Sequence, residues 1–369
     1  MTASLAVPRP SQLGGDRSAI ASQLIIQPPA GDRPYLTRTR LSETRPIPGQ
    51  LGDGEIPGWR VFTTLARGAA HRLDGRPLQD AAGFATYAAD EPRWLAIVVA
   101  DGHGGYPHFR SERGSELAVE AGLRLAPETA AGLAAGRPGR DISLAARTEL
   151  VPGLIGYWRR AVEQDLSEHP WTGREQRMLL PDGDITVPYG STLLLAVLAA
   201  PWLLLCQIGD GEVVMVDADG NASLPVPADP WLDGYSTTSL CQPDAADSFR
   251  LALVDLATSQ AAAVLLATDG FGNAQAADPW YQPVGGDLVR LARERGNDWL
   301  GEQLPLWAAR CASAEGSGDD TTVALLLRTG SPPAGDATRS EEDLAAGRNT
   351  LTWPAIPVVP PADPAPPGR

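Results

Sequence analysis

Apolar runs of about seven residues recur along this chain, and most begin or end at an aspartate. Trp94 to Ala100 (WLAIVVA) stops at Asp101, Ala263 to Thr268 stops at Asp269, and Trp202 to Ile208 stops one residue before Asp210. Thr321 to Leu327 starts just after Asp319 and Asp320, and Ala82 to Ala88 starts after Asp80. Short apolar runs without alternation read as strands covered on both faces. Looser alternation in Trp59 to Ala66 and in Phe249 to Leu256 reads as two more strands, with Ser191 to Ala199 and Val213 to Val216 beside them. Met178 to Leu180 and Ile185 to Val187 flank PDGD and predict a hairpin. Helical spacing marks Glu112 to Leu125, a second region over residues 143–167 that Pro152 must kink or restart, then Asp287 to Arg295 and Trp299 to Ala314. The order is strands, two long helices, strands, two helices, strand. That suits an α+β antiparallel sandwich with helices packed outside, not a parallel α/β sheet. Residues 1–56 lack periodicity and read as a flexible arm, with Leu24 to Ile26 as a candidate edge strand; 57–330 read as the folded domain. Residues 331–369 read as a disordered Pro/Ala-rich tail in which Trp353 marks a candidate docking point.

The 369 residues carry a net charge of −15. This disfavours nucleic acid and anionic membrane surfaces as partners and suits a cation site. Cys206, Cys241 and Cys311 are far apart and odd in number, so buried free thiols are expected instead of a disulfide framework. The N-terminal stretch lacks a secretory pattern, and the longest apolar run, Leu193 to Cys206, is interrupted by Pro201 and too short for a membrane span. A soluble cytoplasmic protein is the expectation.

Each strand-end aspartate alone is an ordinary turn residue. A sheet that gathers several of these strand ends gathers carboxylates, which repel at close range and need cations. Oxygen ligands without cysteine pairs or a histidine cluster point to Mg²⁺ or Mn²⁺. After Asp101 comes Gly102-His103-Gly104-Gly105, a loop whose backbone oxygens can approach a cation closely.

Six segments carry a resemblance. QDA around Asp80, VVADGHGG around Asp101, GSTLLLAVL from Gly190, QIGDGEVV around Asp210, LLATDGF around Asp269 and GDDTTVALLL around Asp319 occur in this order over residues 59–328. In these the chain resembles the metal-dependent protein serine/threonine phosphatases of the protein phosphatase 2C family, in a divergent bacterial-type form. The resemblance implies a four-layer α-β-β-α sandwich of two antiparallel sheets flanked by helix pairs. It implies two Mn²⁺ or Mg²⁺ ions and hydrolysis of phosphoserine or phosphothreonine by activated water, without a phosphoenzyme. Carried over by residue, Asp101 bridges the ions, the Gly102 carbonyl binds one, and Asp269 and Asp319 bind the other. Asp80 acts mostly through bound waters, His103 is the general acid, and Asp210 serves a third ion found in some members. The implied partner is a phosphorylated protein, a serine/threonine kinase or its targets.

Departures are visible. Gln79 stands where many members have glutamate, and Asn273 replaces an aspartate of the third site, which argues against a third ion. The usual phosphate-binding arginine position is Gly75; Arg76 is the candidate in its place, with Arg72 and Arg67 as alternatives, and His71 helps the same loop or is simply packed. These changes leave open a catalytically weak or inactive member that binds phosphoproteins as a regulator. DADGN at 217–221 lacks the later acidic residue of a calcium loop and reads as a hairpin turn.

Overall fold

The computed structural model describes residues 50–88, 92–181, 183–230, 232 and 237–330. In chain order the elements are β1 (Gln50–Ile56), β2 (Trp59–Ala66), α1 (Ala69–Leu73), β3 (Ala81–Tyr87), β4 (Trp94–Ala100), α2 (Ser111–Ala134) and α3 (Gly139–Ala145). They continue with a π-helical turn (Ala146–Leu150), α4 (Val151–Glu168), α5 (Gly173–Gln176), a 3-10 turn (Val187–Tyr189), β5 (Leu193–Ala199), β6 (Trp202–Ile208), β7 (Glu212–Asp217) and β8 (Ala222–Ser223). Last come α6 (Ala245–Ser248), β9 (Arg250–Asp255), β10 (Ala261–Ala267), α7 (Asp269–Gly272), α8 (Tyr281–Arg295), α9 (Asn297–Cys311) and β11 (Thr321–Arg328).

Two antiparallel sheets result, with strand orders β1-β2-β11-β10-β7-β8 and β3-β4-β5-β6-β9. The unbroken apolar runs are explained by two covered faces. Leu95, Ile97 and Val99 of β4 meet Val264, Leu266, Ala324 and Leu326 of the opposite sheet. Trp94, Ala96, Val98 and Ala100 of the same strand turn outward onto Leu117, Ala118 and Ala121 of α2. In the other sheet Ala263 and Leu265 of β10 face Leu288, Leu300 and Leu304 of α8 and α9. This is the α-β-β-α sandwich expected from the sequence. Each fully buried Leu, Ile or Val in it contributes roughly 1.5–3 kcal/mol by leaving water. Such a rigid double layer holds whatever projects from its strand ends.

Four expectations are corrected. Residues 50–56 form a strand paired with β2 through its whole length, so the sheet begins inside the stretch assigned to the arm. Its QLGDGEI sequence has no alternation because edge pairing through backbone groups needs none. Among the described residues of 178–187 no hairpin forms: Leu180 and Ile185 are 50% and 41% exposed, and Asp184 Oδ1 accepts from the Thr186 N–H and hydroxyl, closing a local turn at 184–186. Arg67 to Asp80, whose sequence reads as a polar Gly/Pro-bearing connection, contains the short helix α1. Helix α2 runs on to Ala134 through Pro127, past the Leu125 boundary read from spacing. Pro152 does restart a helix, at the first turn of α4 directly after the π-helical turn. DADGN is a turn, with Asp217 Oδ1 accepting from the N–H groups of Asp219 and Asn221. All three cysteines are free and buried. Leu24 to Ile26 and Trp353 lie outside the described residues.

Candidate active site

Strand register brings the acidic residues together. Ala81 pairs with Ala100 across β3 and β4, so Asp80 and Asp101, the next residues outward, leave that sheet side by side. In the other sheet Ala267 of β10 pairs with Val323 and with Glu212. Asp269 therefore emerges between Asp319 and Asp320 on one side and Asp210 on the other. Thr268 and Thr322 stitch the two sheets at this end: their hydroxyls donate to Asp80 Oδ2 at 2.9 and 2.7 Å.

Crowding and burial set the electrostatics. Burial first, then the Asp320 charge, pushes the Asp80 carboxyl well above the ordinary carboxylate range. Its Oδ1 is buried with no hydrogen-bond partner. Asp101 is likewise pushed well up, by burial and then by Asp80, Asp269, Asp210 and Asp319. Asp269 rises to about 6 through burial and then the charges of Asp210 and Asp319, and it shares a hydrogen bond with Asp101. Asp319 moves the other way, because the His71 imidazole hydrogen-bonds it and holds its carboxyl below the usual range. His71 is buried, with Nε2 3.2 Å from Asp319 Oδ1 and Nδ1 2.9 Å from Asp320 Oδ2. Burial pulls its pKa down, but the two carboxylates outweigh that and raise it to about 9, so the ring is charged at neutral pH. Asp320 in turn accepts from the backbone N–H of Gly68 at 2.7 Å and of Gln79 at 2.6 Å, clamping the loop after β2.

Gly102 sits where two chains almost touch. Its N–H donates to the Gln79 carbonyl at 3.1 Å, and it bridges to Ser191. A Cβ there would fall 2.5 Å from the Ser111 carbonyl oxygen and 2.6 Å from that of Gln79, so only glycine fits. The Gln79 amide donates to Ser111 Oγ at 2.5 Å and the His103 carbonyl at 3.3 Å. Asn273 donates to Asp269 Oδ2 at 3.1 Å.

A cavity of about 150 Å³ opens beside the carboxylates, walled by His71, Arg76, Asp101, Gly102, Gly104 and Asp319. Arg76 is the arginine at this wall, with one nitrogen 3.1 Å from Asp74 Oδ2. Arg67 is occupied elsewhere, donating to the carbonyls of His71 and Arg76, and Arg72 is exposed on α1. His103 holds its backbone N–H on the Gly190 carbonyl at 3.1 Å and its Nε2 2.7 Å from Ser239 Oγ. Burial, followed by the neighbouring His108, lowers its pKa to about 3, which leaves the ring neutral.

Among the described residues, no three His, Cys, Asp or Glu side chains stand close enough to hold a metal ion as they are. The donor set nevertheless fits a hard cation. It is all oxygen, Asp80 Oδ1 lacks a partner, and Asp101 and Asp269 share a hydrogen bond that requires one of them to be protonated. A divalent ion held by these carboxylates would take the place of that proton. The sequence reading missed Thr268, Thr322, Asp320 and Ser239. Thr268 and Asp320 had a signal, since each is a polar residue at a core-strand end next to a singled-out aspartate; Thr322, three residues after Asp319, and Ser239 had none.

Stp1, a serine/threonine phosphatase from Staphylococcus aureus, is 15% identical over 76% of this chain and 99% of its own, with a TM-score of 0.47. A serine-threonine phosphatase 2C from Toxoplasma gondii is 15% identical over 77% and 98%, with a TM-score of 0.46. PppA, a regulatory component of the type VI secretion system of Pseudomonas aeruginosa, is 16% identical over 75% and 100%, with a TM-score of 0.47. No curated protein matches the sequence. Among the described residues no helix is long and apolar enough to cross a membrane. The family model for protein phosphatase 2C matches residues 67–305, which include Asp80, Asp101, Asp210 and Asp269. On that match, which spans well over half of the sequence, the chain belongs to the protein phosphatase 2C family.

Proposed function

We propose that this chain is a Mg²⁺- or Mn²⁺-dependent phosphatase that removes phosphate from phosphoserine and phosphothreonine in proteins. The observation that carries the reading is the buried carboxylate end of the two sheets, where Asp101 feels four other aspartates at once. Asp101 would bridge two ions, with the Gly102 carbonyl on one and Asp269 and Asp319 on the other. Asp80 is tied back by Thr268 and Thr322, and its unpartnered Oδ1 would act on the ions through their waters. Asp210 is the candidate for a third ion, opposed by Asn273, whose amide takes up one oxygen of Asp269. Two such ions, when bound, lower the pKa of the attacking water and offset charge on the phosphoryl oxygens.

The chain's own groups do the rest. Arg76 orients the phosphate with a guanidinium fork, and the charged His71 keeps Asp319 ionised. A phosphate dianion raises the proton affinity of a nearby imidazole. His103, two residues from Asp101, then gives its proton to the departing serine or threonine oxygen. General acid catalysis of this kind contributes roughly 10²–10⁴-fold. The substrate is a phosphorylated protein, a serine/threonine kinase or a kinase target. Three free thiols suit a reducing, cytoplasmic setting.

A second reading, a phosphoprotein-binding regulator with little turnover, is favoured by Gln79, whose neutral side chain is turned to Ser111. Phosphate release from a phosphothreonine peptide, in Mn²⁺ and then in EDTA, separates the two. Release that stops in EDTA supports the enzyme. Peptide binding without release in either condition supports the regulator.

A further inference from the structure

The GSTLLLAVL segment starts at the carboxylate end, and its Thr192 has no role so far. Thr192 is 2% exposed and directly precedes β5, the middle strand of its sheet. Strand β4 lies on one side of β5 and β6 on the other. Thr192 thus stands between Asp101, which leaves β4, and the Gly209-Asp210 turn, which leaves β6.

The register of β4 and β5 runs on beyond both strands. Val99 pairs with Leu194 and Gly102 bridges to Ser191, so Asp101 stands opposite Thr192. Opposed residues of an antiparallel ladder alternately exchange both backbone bonds or neither. The contacts flanking the Gly102 bridge put this pair among the bonded ones: the Thr192 N–H donates to the Asp101 carbonyl at 2.9 Å, and the His103 N–H to the Gly190 carbonyl at 3.1 Å. The return bond departs from the ladder. The Asp101 N–H donates at 3.0 Å to Thr192 Oγ1, a side-chain atom, and the Thr192 carbonyl accepts instead from the Ser191 hydroxyl at 2.9 Å. Both backbone polar groups of Asp101 therefore end on one residue, and one of them depends on a hydroxyl.

The other side of Thr192 is a wedge. Gly209 has a φ of +105°, and a Cβ on it would overlap the Thr192 Cβ and methyl. The Gly209 N–H is held by Thr238 Oγ1 at 3.0 Å, and the Thr238 hydroxyl donates to Asp229 Oδ2 at 2.8 Å. The methyl packs against the turn that carries Asp210, while the hydroxyl ties the loop that carries Asp101. Strand formation does not ask for threonine at so buried a place. Valine has the same shape, forms strands as readily and buries no polar atom. What valine lacks is the acceptor, and the Asp101 N–H has no second acceptor among the described residues.

We propose that Thr192 is a positioning residue for Asp101. Its hydroxyl fixes the Asp101 backbone, and so sets where the carboxylate and the following Gly102 carbonyl point. Its methyl sets the Asp210 turn against them. The inference rests on the reading of this end as an ion site. Thr192 acts only through the residues it holds, as the groups that orient metal ligands do.

Two substitutions separate the two halves. Thr192→Val keeps the wedge and removes the acceptor; Thr192→Ser keeps the acceptor and removes the methyl. The first readout needs no metal: hydrogen exchange of the Asp101 amide, followed by NMR in EDTA. The amide should exchange at least about 10-fold faster in Thr192→Val than in the wild type, and within about threefold of it in Thr192→Ser. The second readout is calorimetric Mn²⁺ titration, well below the melting temperature of each variant. Thr192→Val should weaken binding roughly 10–100-fold and Thr192→Ser by less than about threefold, although both melt lower than the wild type. A merely structural threonine would lower the melting temperature and leave Mn²⁺ affinity alone. An equally protected Asp101 amide in Thr192→Val, an unchanged Mn²⁺ affinity in that variant, or equal weakening by valine and serine overturns the inference. So does a loss of more than about 10-fold in Thr192→Ser alone, which keeps the claim open to refutation if the valine variant does not fold. A wild type that binds no Mn²⁺ is a different failure: it removes the ion-site reading on which the inference stands, whatever the amide does.

Discussion

Replacing Asp269 with asparagine should make the metal-free protein more stable, although changing a partly buried polar residue ordinarily costs stability. The Asp269 carboxyl is pushed from 3.8 to about 6 by burial and by Asp210 and Asp319. A raised carboxylate contributes stability that is complete below its unfolded pKa and lost as the pH rises through the folded one. At pH 7.5 the whole penalty is therefore present. Two pKa units correspond to about 3 kcal/mol. Asp269 is not fully buried, so about 1–2 kcal/mol is expected after solvent screening. Asparagine carries no charge, and its carbonyl oxygen still accepts from Asn273. The assay is thermal unfolding at pH 7.5 in EDTA, where the variant should melt higher by roughly 2–8 °C. In saturating Mn²⁺ the order should reverse, because the wild type gains stability from an ion it binds only when folded. A lower melting temperature for Asp269→Asn in EDTA would refute the claim that these carboxylates strain the metal-free fold.

Three further outcomes are expected. Gly102→Ala places a methyl 2.5 Å from the Ser111 carbonyl; it should cost about 1–3 kcal/mol in urea unfolding and weaken Mn²⁺ binding by calorimetry. Arg76→Ala should raise KM for a phosphopeptide roughly 10–100-fold, the value of a charge-assisted hydrogen bond, while Mn²⁺ affinity stays the same; an unchanged KM would move the phosphate to another group. Glu175, hydrogen-bonded by Arg110 at 2.7 and 3.0 Å, has its carboxyl pushed down from 4.5 to about 2, chiefly by that arginine. Its contribution is present above about pH 4.5 and lost as the pH falls towards about 2; after screening it amounts to roughly 1–2 kcal/mol, and Glu175→Gln should flatten the acid limb of the stability curve by that amount.

Much of the fold was legible because core strands here are covered on both faces. Trp94 to Ala100 and Ala263 to Thr268 read as buried apolar runs for a physical reason, and their ends lie beside the gathered aspartates. Strand β1 was illegible because its pairing runs through backbone groups, which leave no side-chain period in QLGDGEI. The false hairpin at 178–187 shows the opposite problem: two apolar triplets looked like strands but had no partner edge, and Asp184 closed a local turn instead. The aspartates were legible as a set because strand ends are fixed by the register of their neighbours. What the sequence could not supply was the second ring of contacts. The His71 link to Asp319 and Asp320, and the Ser239 link to His103, each join segments more than 100 residues apart through a single side chain.

The central claim is that the carboxylate end of the sandwich is a two-ion site built on Asp101. Calorimetric titration of metal-free protein with Mn²⁺, for the wild type and Asp101→Asn side by side, tests it most directly. The account predicts two bound ions in the wild type and loss of both high-affinity sites in the variant. Equal binding by the two proteins, or no binding by the wild type, would contradict it.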